Sequence, residues 1–507
     1  MARGNGLGDA YTATLARLKG QKRNKSVFGR KVLMWVLYSQ RPLRGEELCH
    51  ALAVEMGSRD LDPKNIPVLR TLVSSCLGLV TVEESSSTVR LVHFTLQEHL
   101  LSSPTLFHNP HSTIAEVCLT YLNFRCIRDL PPPSYLAPLP TMPLLEYASF
   151  YWGEHARMGM TENVRILALK LLDRFDKHVS AEQLLSRCCE DKGFGGYSFL
   201  TRGNTRFTAL NAVSFFGIVE IVATILERKE CDVNATDDIG STALIWASRE
   251  GHEEVVKMLL GWDGVNPNQA DTMYGETPLS WAAERGHDGV VNMLLAREEV
   301  NPNQADTDCS RTPLLWAAAN GHEAIVKMLL EREEVNPDQA DTGYGRTPIT
   351  LAAERGHEGG VKMLLERVNL KQADTHHGRT PLSWAAERGH ERIVKILLER
   401  EEVDPDRPDT EYARTPLSWA AERGHEGVVK MLLEREEVNP DHPDTKYGRT
   451  PISWAAVNGH EGIVEMLLAR EVNPDQPDTD YCRALRSRAV PRSGFVEQAS
   501  DWEDLWW

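Results

Sequence analysis

The sequence predicts a mostly α-helical chain in two parts, a non-repetitive N-terminal region followed by a helical solenoid. One phrase, most cleanly TPLSWAAERGH followed by an apolar helix ending in MLLER, recurs eight times, and the first two hundred residues contain nothing like it. The threonines that open the phrase stand at 208, 242, 277, 312, 347, 380, 415 and 450, in steps of 33 to 35 residues. So regular a period marks stacked units that bury their apolar faces only against one another.

In the N-terminal region, apolar periodicity predicts helices over 10–19, 27–39, 46–55 and 66–77. Strands follow over 79–82 and 89–93, split by the polar turn EESSS. Three helices followed by a two-stranded hairpin describe a winged helix, assigned to 26–104 behind a leader at 1–25. Helical patterns return over 114–124, 144–155, 164–175 and 181–189, interrupted by PPPSYLAPLP from Pro131, and make a helical linker domain of 105–192. The GFGG run at 193–196 reads as a hinge.

Within one period, Thr277 is an N-cap and Pro278 occupies the first helical position, where its missing N–H costs nothing. Gly286 ends that helix by taking a left-handed cap conformation. A second helix over 288–297 carries Val290, Val291, Leu294 and Leu295 on one face, and a polar loop follows from Asn301. Helix, turn, helix and projecting loop, written TPLSWAAERGHxxxVxxLL, resemble the ankyrin repeat over residues 205–480. The resemblance implies eight repeats and a surface for binding proteins. The family's usual His after TPL is Ser at 280, 383, 418 and 453, Leu at 315 and Thr at 350, which predicts the loss of a side-chain hydrogen bond. Beyond 480 the phrase decays to CRALRSRAV, so residues 481–507 read as a degenerate repeat and a tryptophan-rich tail. Two Glu found in the neighbouring repeats are missing between Arg367 and Val368, which predicts a weak joint over 366–377.

A second resemblance covers about residues 9–190. The strings RPLRGEELCHALAVE, LVSSCLGLVTVEE, VRLVHFTLQEHLLS, IAEVCLTYLNF and LLEYASFYWGEHAR are similar to the segment behind the nucleotide-binding domain of fungal NACHT-ankyrin proteins. These are receptor-type ATPases of the STAND class. The resemblance implies a winged helix joining an ATPase to ankyrin sensors, and a nucleotide contact for the histidine matching His93. Here Phe94 follows in place of the family's Asp, and no GxxxxGK[ST] phosphate loop occurs in the sequence, so His93 is expected to be structural.

Charge separates the two parts. Residues 205–479 hold 28 Lys and Arg against 49 Asp and Glu, within a net charge of −17 for the chain, so the repeats repel nucleic acid. Nine cysteines without paired spacing suggest reduced thiols, and no apolar run approaches a membrane span. Together these predict a cytoplasmic protein, with the nucleus as an alternative compartment, that has no nucleic-acid or membrane partner and needs no cofactor or metal. No HExxH, GxSxG or similar arrangement of nucleophile and base is present, so the chain is expected not to be an enzyme.

Three recurring side chains receive structural readings. One His per repeat, from His252 to His460, is expected to stabilise a turn, and the tryptophans at 246, 281, 316, 384, 419 and 454 to pack between the two helices of each repeat. The loop acids, such as Asp338 and Asp341, are expected to be solvated. What changes between repeats is the loop tip. The tips nominate Met273, Tyr274, Glu276, Asp308, Arg311, Tyr344, Arg346, His376, His377, Arg379, Glu411, Tyr412, Arg414, Lys446, Tyr447 and Arg449 as contacts for a protein partner on the concave face. The expected function is a protein-interaction scaffold or recognition module. The alternative is the regulatory part of a nucleotide-switched receptor whose ATPase domain lies in another chain or is missing from the gene model.

Overall fold

The computed structural model describes residues 5–102, 106–130, 142–190, 206–228, 231–368 and 373–470. The proline-rich break, the GFGG hinge, the centre of the shortened loop at 369–372 and the tail beyond 480 lie outside these residues. The chain divides into two compact units, Met1–Met273 and Tyr274–Trp507.

The first unit begins with α1 (Asn5–Lys19), α2 (Arg23–Tyr38), α3 (Gly45–Ala53) and α4 (Leu69–Ser75), followed by β1 (Val80–Val82) and β2 (Val89–Leu91). The strands pair antiparallel with Val80 opposite Leu91 and Val82 opposite Val89, and an isolated bridge from Thr88 to Arg44 ties on the segment before α3, completing a winged helix. Helix α4 is shorter than the predicted 66–77. Pro67 disfavours helical geometry at the residue before it, and Leu77 and Gly78 turn out of the helix with positive φ. Glu47 is fully buried and held by both Arg41 guanidinium nitrogens, at 2.9 and 2.8 Å, and by the Arg44 N–H at 2.7 Å. Burial pushes its carboxyl up, but these donors prevail and hold it below the ordinary carboxylate range.

Two helices escaped the sequence reading, α5 (Phe94–Leu101) and the single turn α7 (Arg125–Arg128). Between and beyond them come α6 (Pro110–Leu122), α8 (Leu144–Met158), α9 (Glu162–Leu172) and α10 (Val179–Glu190). This helical region packs against the first two repeats. Trp152 meets Phe216 edge-on at 5.1 Å, Phe175 lies 6.3 Å from Phe207, and Arg249 donates to the Cys188 carbonyl at 3.1 Å. Gly153 is required there because a Cβ would fall 2.1 Å from the Phe216 ring. A solenoid needs its open end covered, and these helices supply the cover.

Among the described residues eight helix pairs follow in chain order, from Ala209–Phe216 with Val219–Leu226 to Pro451–Val457 with Glu461–Leu468, the first two pairs in the first unit. The capping chemistry is as the sequence indicates. Thr277 accepts from the Ser280 N–H at 3.1 Å, and Gly286 has φ 79° while the next N–H, that of His287, reaches back to the Ala282 carbonyl at 3.0 Å. The expected loss of a bond at the Ser positions does not occur. Each Ser hydroxyl meets the capping Thr hydroxyl instead, at 3.0 Å for Thr277–Ser280 and 3.1 Å for Thr380–Ser383. Leu315 cannot form such a bond and packs with Ala319 and Leu351.

Candidate functional site

Each loop is organised by an aspartate. Asp341 Oδ1 accepts from the Tyr344 N–H at 2.8 Å and the Arg346 N–H at 3.2 Å, closing the tip on itself. Equivalent bonds join Asp409 to Tyr412 at 2.8 Å and Asp444 to Tyr447 at 2.6 Å. Adjacent tips are then tied by backbone bonds, from the Thr342 N–H to the Cys309 carbonyl at 2.7 Å and from the Thr445 N–H to the Tyr412 carbonyl at 2.8 Å. Asp341, Asp374, Asp409 and Asp444 are each 3% exposed, so these acids are keystones of the loops, not solvated charges.

The other oxygen of Asp374, Asp409 and Asp444 explains the tryptophans, while Asp341 faces a repeat in which Leu351 takes that place. Trp384 Nε1–H donates to Asp374 at 2.9 Å, Trp419 to Asp409 at 3.0 Å and Trp454 to Asp444 at 2.8 Å. The indoles are buried, as expected, but they reach toward the loop and not between the helices of their own repeat. An arginine lies over each. The Arg379 guanidinium is 4.6 Å from the Trp384 ring and 3.7 Å from the Trp419 ring, and Arg414 is 4.5 Å from Trp419 and 3.8 Å from Trp454. The same arginines form ion pairs with helix glutamates, Arg346 with Glu354 at 2.6 Å, Arg379 with Glu387 at 2.7 Å and Arg414 with Glu422 at 2.7 Å. Each desolvated cation–π contact contributes about 2 kcal/mol, and removing one partner of a buried pair costs about 3–5 kcal/mol. The ladder of Trp and Arg therefore makes a stiff base.

The nominated residues accordingly separate. Arg379 and Arg414 are 6% exposed, Glu276 is 2% exposed, and Arg311, Arg346 and Arg449 are half-buried, so these six belong to the base. Met273, Tyr274, His377 and Tyr412 are half-buried; Asp308, His376, Glu411 and Lys446 are exposed, with Tyr344 and Tyr447 at 45% and 53%. From the fifth repeat to the eighth the outer residues touch in sequence. The Tyr344 and His377 rings stack at 6.2 Å, His377 Nε2 is 3.5 Å from Glu411, and the Lys446 ammonium sits 4.6 Å from the Tyr412 ring and 5.1 Å from that of Tyr447. An aromatic, mixed-charge ridge thus stands on a fixed base.

The recurrent histidines join repeats. His322 Nε2 bonds the Glu284 carbonyl at 3.0 Å, His357 that of Ala319 at 3.0 Å and His425 that of Glu387 at 2.9 Å. In the winged helix, His93 caps α5 by accepting from the Thr95 N–H at 3.2 Å. Among the described residues no group of His, Cys, Asp or Glu is arranged to hold a metal, and no helix is long and apolar enough to cross a membrane.

This is a helical-repeat protein preceded by a winged helix. The family described as Ankyrin repeats (3 copies) matches in overlapping stretches, 177–271, 209–306, 259–341, 282–374, 333–409 and 402–478, which together cover more than half of the chain. The chain belongs to that family. Residues 15–109 also match the winged helix domain of GPI inositol-deacylase, a likeness confined to that domain. No curated protein matches the chain.

Proposed function

We propose that the protein is a recognition module that works by binding, without catalysis, and takes its protein partner along the ridge of loop tips from Tyr344 to Tyr447. The observation that carries this is the division within each loop. The Asp, Trp and Arg of the base are clamped and repeat with little change, whereas the residues outside them are exposed or half-buried and differ from repeat to repeat. Tyrosine supplies large contact area with little entropy lost, which suits such tips to a protein surface.

A finer reading rests on the order of the parts. Winged helix, helical region and ankyrin repeats follow one another as in the fungal STAND receptors, so the chain acts in the cytoplasm as the sensor half of a nucleotide-switched assembly. Without a phosphate loop it does not itself bind ATP, and saturable ATP binding by calorimetry would contradict this. The binding reading is tested by replacing Tyr344, Tyr412 and Tyr447 with Ala. Capture of the partner from extract of the source cells should fall by more than about tenfold while the circular dichroism spectrum is preserved. Unchanged capture would move the site away from the tips.

A further inference from the structure

Residues 10–45 contain no Asp or Glu, yet seven Lys and Arg lie between Arg17 and Lys31. All seven are exposed, and among the described residues none is engaged in an ion pair. Their backbone is firmly held. The Gln21 side chain donates to the Ser75 carbonyl at 2.8 Å, a Cβ on Gly29 would fall 2.7 Å from that same oxygen, and Leu15, Leu18, Val32 and Leu33 are buried beneath. The face is a rigid, unneutralised cationic surface on α1 and α2.

Its charges are paired and spaced. Arg23 and Arg30 are seven residues apart, about two turns, which places them on one side of α2 and roughly 10–11 Å apart along its axis, with Lys22 and Lys31 on the two flanks of that side. The repeats carry a matching pattern of opposite sign. Glu401-Glu402 and Glu436-Glu437 are exposed acid pairs just past the second helices of repeats six and seven, and packed helices lie about 8–10 Å apart. Arg297 and Arg332 neutralise the corresponding Glu299 and Glu334, at 2.8 and 2.9 Å, but neither pair in repeats six and seven has such a partner among the described residues.

We propose that the cationic face of α1 and α2 docks on the acid pairs of repeats six and seven of a second copy of this chain. Other occupants fit less well. No large apolar side chain is exposed between residues 17 and 31 to enter a lipid surface, and no exposed aromatic offers a platform for bases. A net charge of −17 opposes approach to any polyanion, whereas at ordinary salt the screening length of about 10 Å leaves each contact governed by its own neighbourhood.

Sedimentation of the full chain over a concentration series tests this. At about 50 mM salt the average mass should rise with concentration, and at about 500 mM the dissociation constant should increase at least tenfold. Lys22, Arg23, Arg30 and Lys31→Glu should leave the chain monomeric, and so should Glu401, Glu402, Glu436 and Glu437→Lys. Mixing the two variants should restore association, a result that misfolding of either could not produce. A wild-type chain that stays monomeric throughout overturns the proposal, as does self-association that neither variant alters. Loss of binding to duplex DNA or phosphatidylserine vesicles in the first variant, with no self-association in the wild type, would assign the face to that ligand instead.

Discussion

His155 has no exposed surface and sits in a chain of hydrogen bonds that begins at a backbone N–H. The Gln40 N–H donates to the Tyr147 hydroxyl at 3.1 Å, and that hydroxyl is hydrogen-bonded to His155 Nε2 at 2.9 Å. His155 Nδ1 in turn shares a hydrogen bond with His111 Nδ1 at 2.9 Å. Burial, with the neighbouring His111, lowers the His155 pKa to about 3, and burial lowers that of His178 to about 4. Both imidazoles are neutral in the fold and take up protons on unfolding below their ordinary pKa of 6.5. The unfolded state then binds more protons, so their contribution is complete above pH 6.5 and is lost as pH falls, toward about 4 for His178 and about 3 for His155. Each removes up to about 1.4 kcal/mol per pH unit in that window. His155→Gln should flatten the decline of melting temperature between pH 7 and pH 4.5. A slope equal to that of the wild type would show that His155 is not the group responsible.

At the scale of the element, the turn between the two helices of a repeat and the staple to the next repeat are one device. Gly356 takes φ 85°, and a Cβ there would fall 2.7 Å from the imidazole of His390, whose Nε2 bonds the Glu354 carbonyl at 3.0 Å. Gly356→Ala should cost about 1–2 kcal/mol from the left-handed backbone alone, and more from the clash. His390→Ala removes the staple for about 1 kcal/mol. In urea unfolding the double variant should be less destabilised than the sum of the singles, because the clash disappears with the ring; strict additivity would mean that the two act independently. The cap residues made the helix boundaries legible in the sequence, since Thr, Pro and Gly each have one local reason to stand where they do. The ladder was not legible, because its bonds join residues about ten positions apart that meet only when the loop folds back on the helix. A signal existed in the constancy of Arg346, Arg379, Arg414 and Arg449, always five residues before the Trp or its Leu substitute. A tip that varies for recognition has no reason to keep one residue type, whereas a base does.

Across the whole molecule, the array depends on every joint being made alike, and the joint between repeats five and six is made differently. Elsewhere a threonine N–H links adjacent tips, at 2.7 Å for Thr342 and Thr410, but here His376, one residue further on, donates to Tyr344 at 3.2 Å. The valine that follows the second helix is buried at 335 and 438 yet half-buried at 403, beside a cleft of about 320 Å³ lined by Pro381, Leu382 and Leu397. The first departure follows directly on the connector that lacks two glutamates, and the second falls in the repeat after it, so a local deletion coincides with looser packing in the next unit. Solenoid stability is a sum of such neighbour terms, and opening should begin at the weakest. The His376 amide should exchange at least about tenfold faster than those of Thr342 and Thr410, a difference of about 1.4 kcal/mol in opening. Inserting Glu-Glu between Arg367 and Val368 should restore the common spacing, slow that exchange and raise the melting temperature. Equal exchange at the three amides, or an insertion that changes none of them, would mean that the array tolerates the short loop without loss.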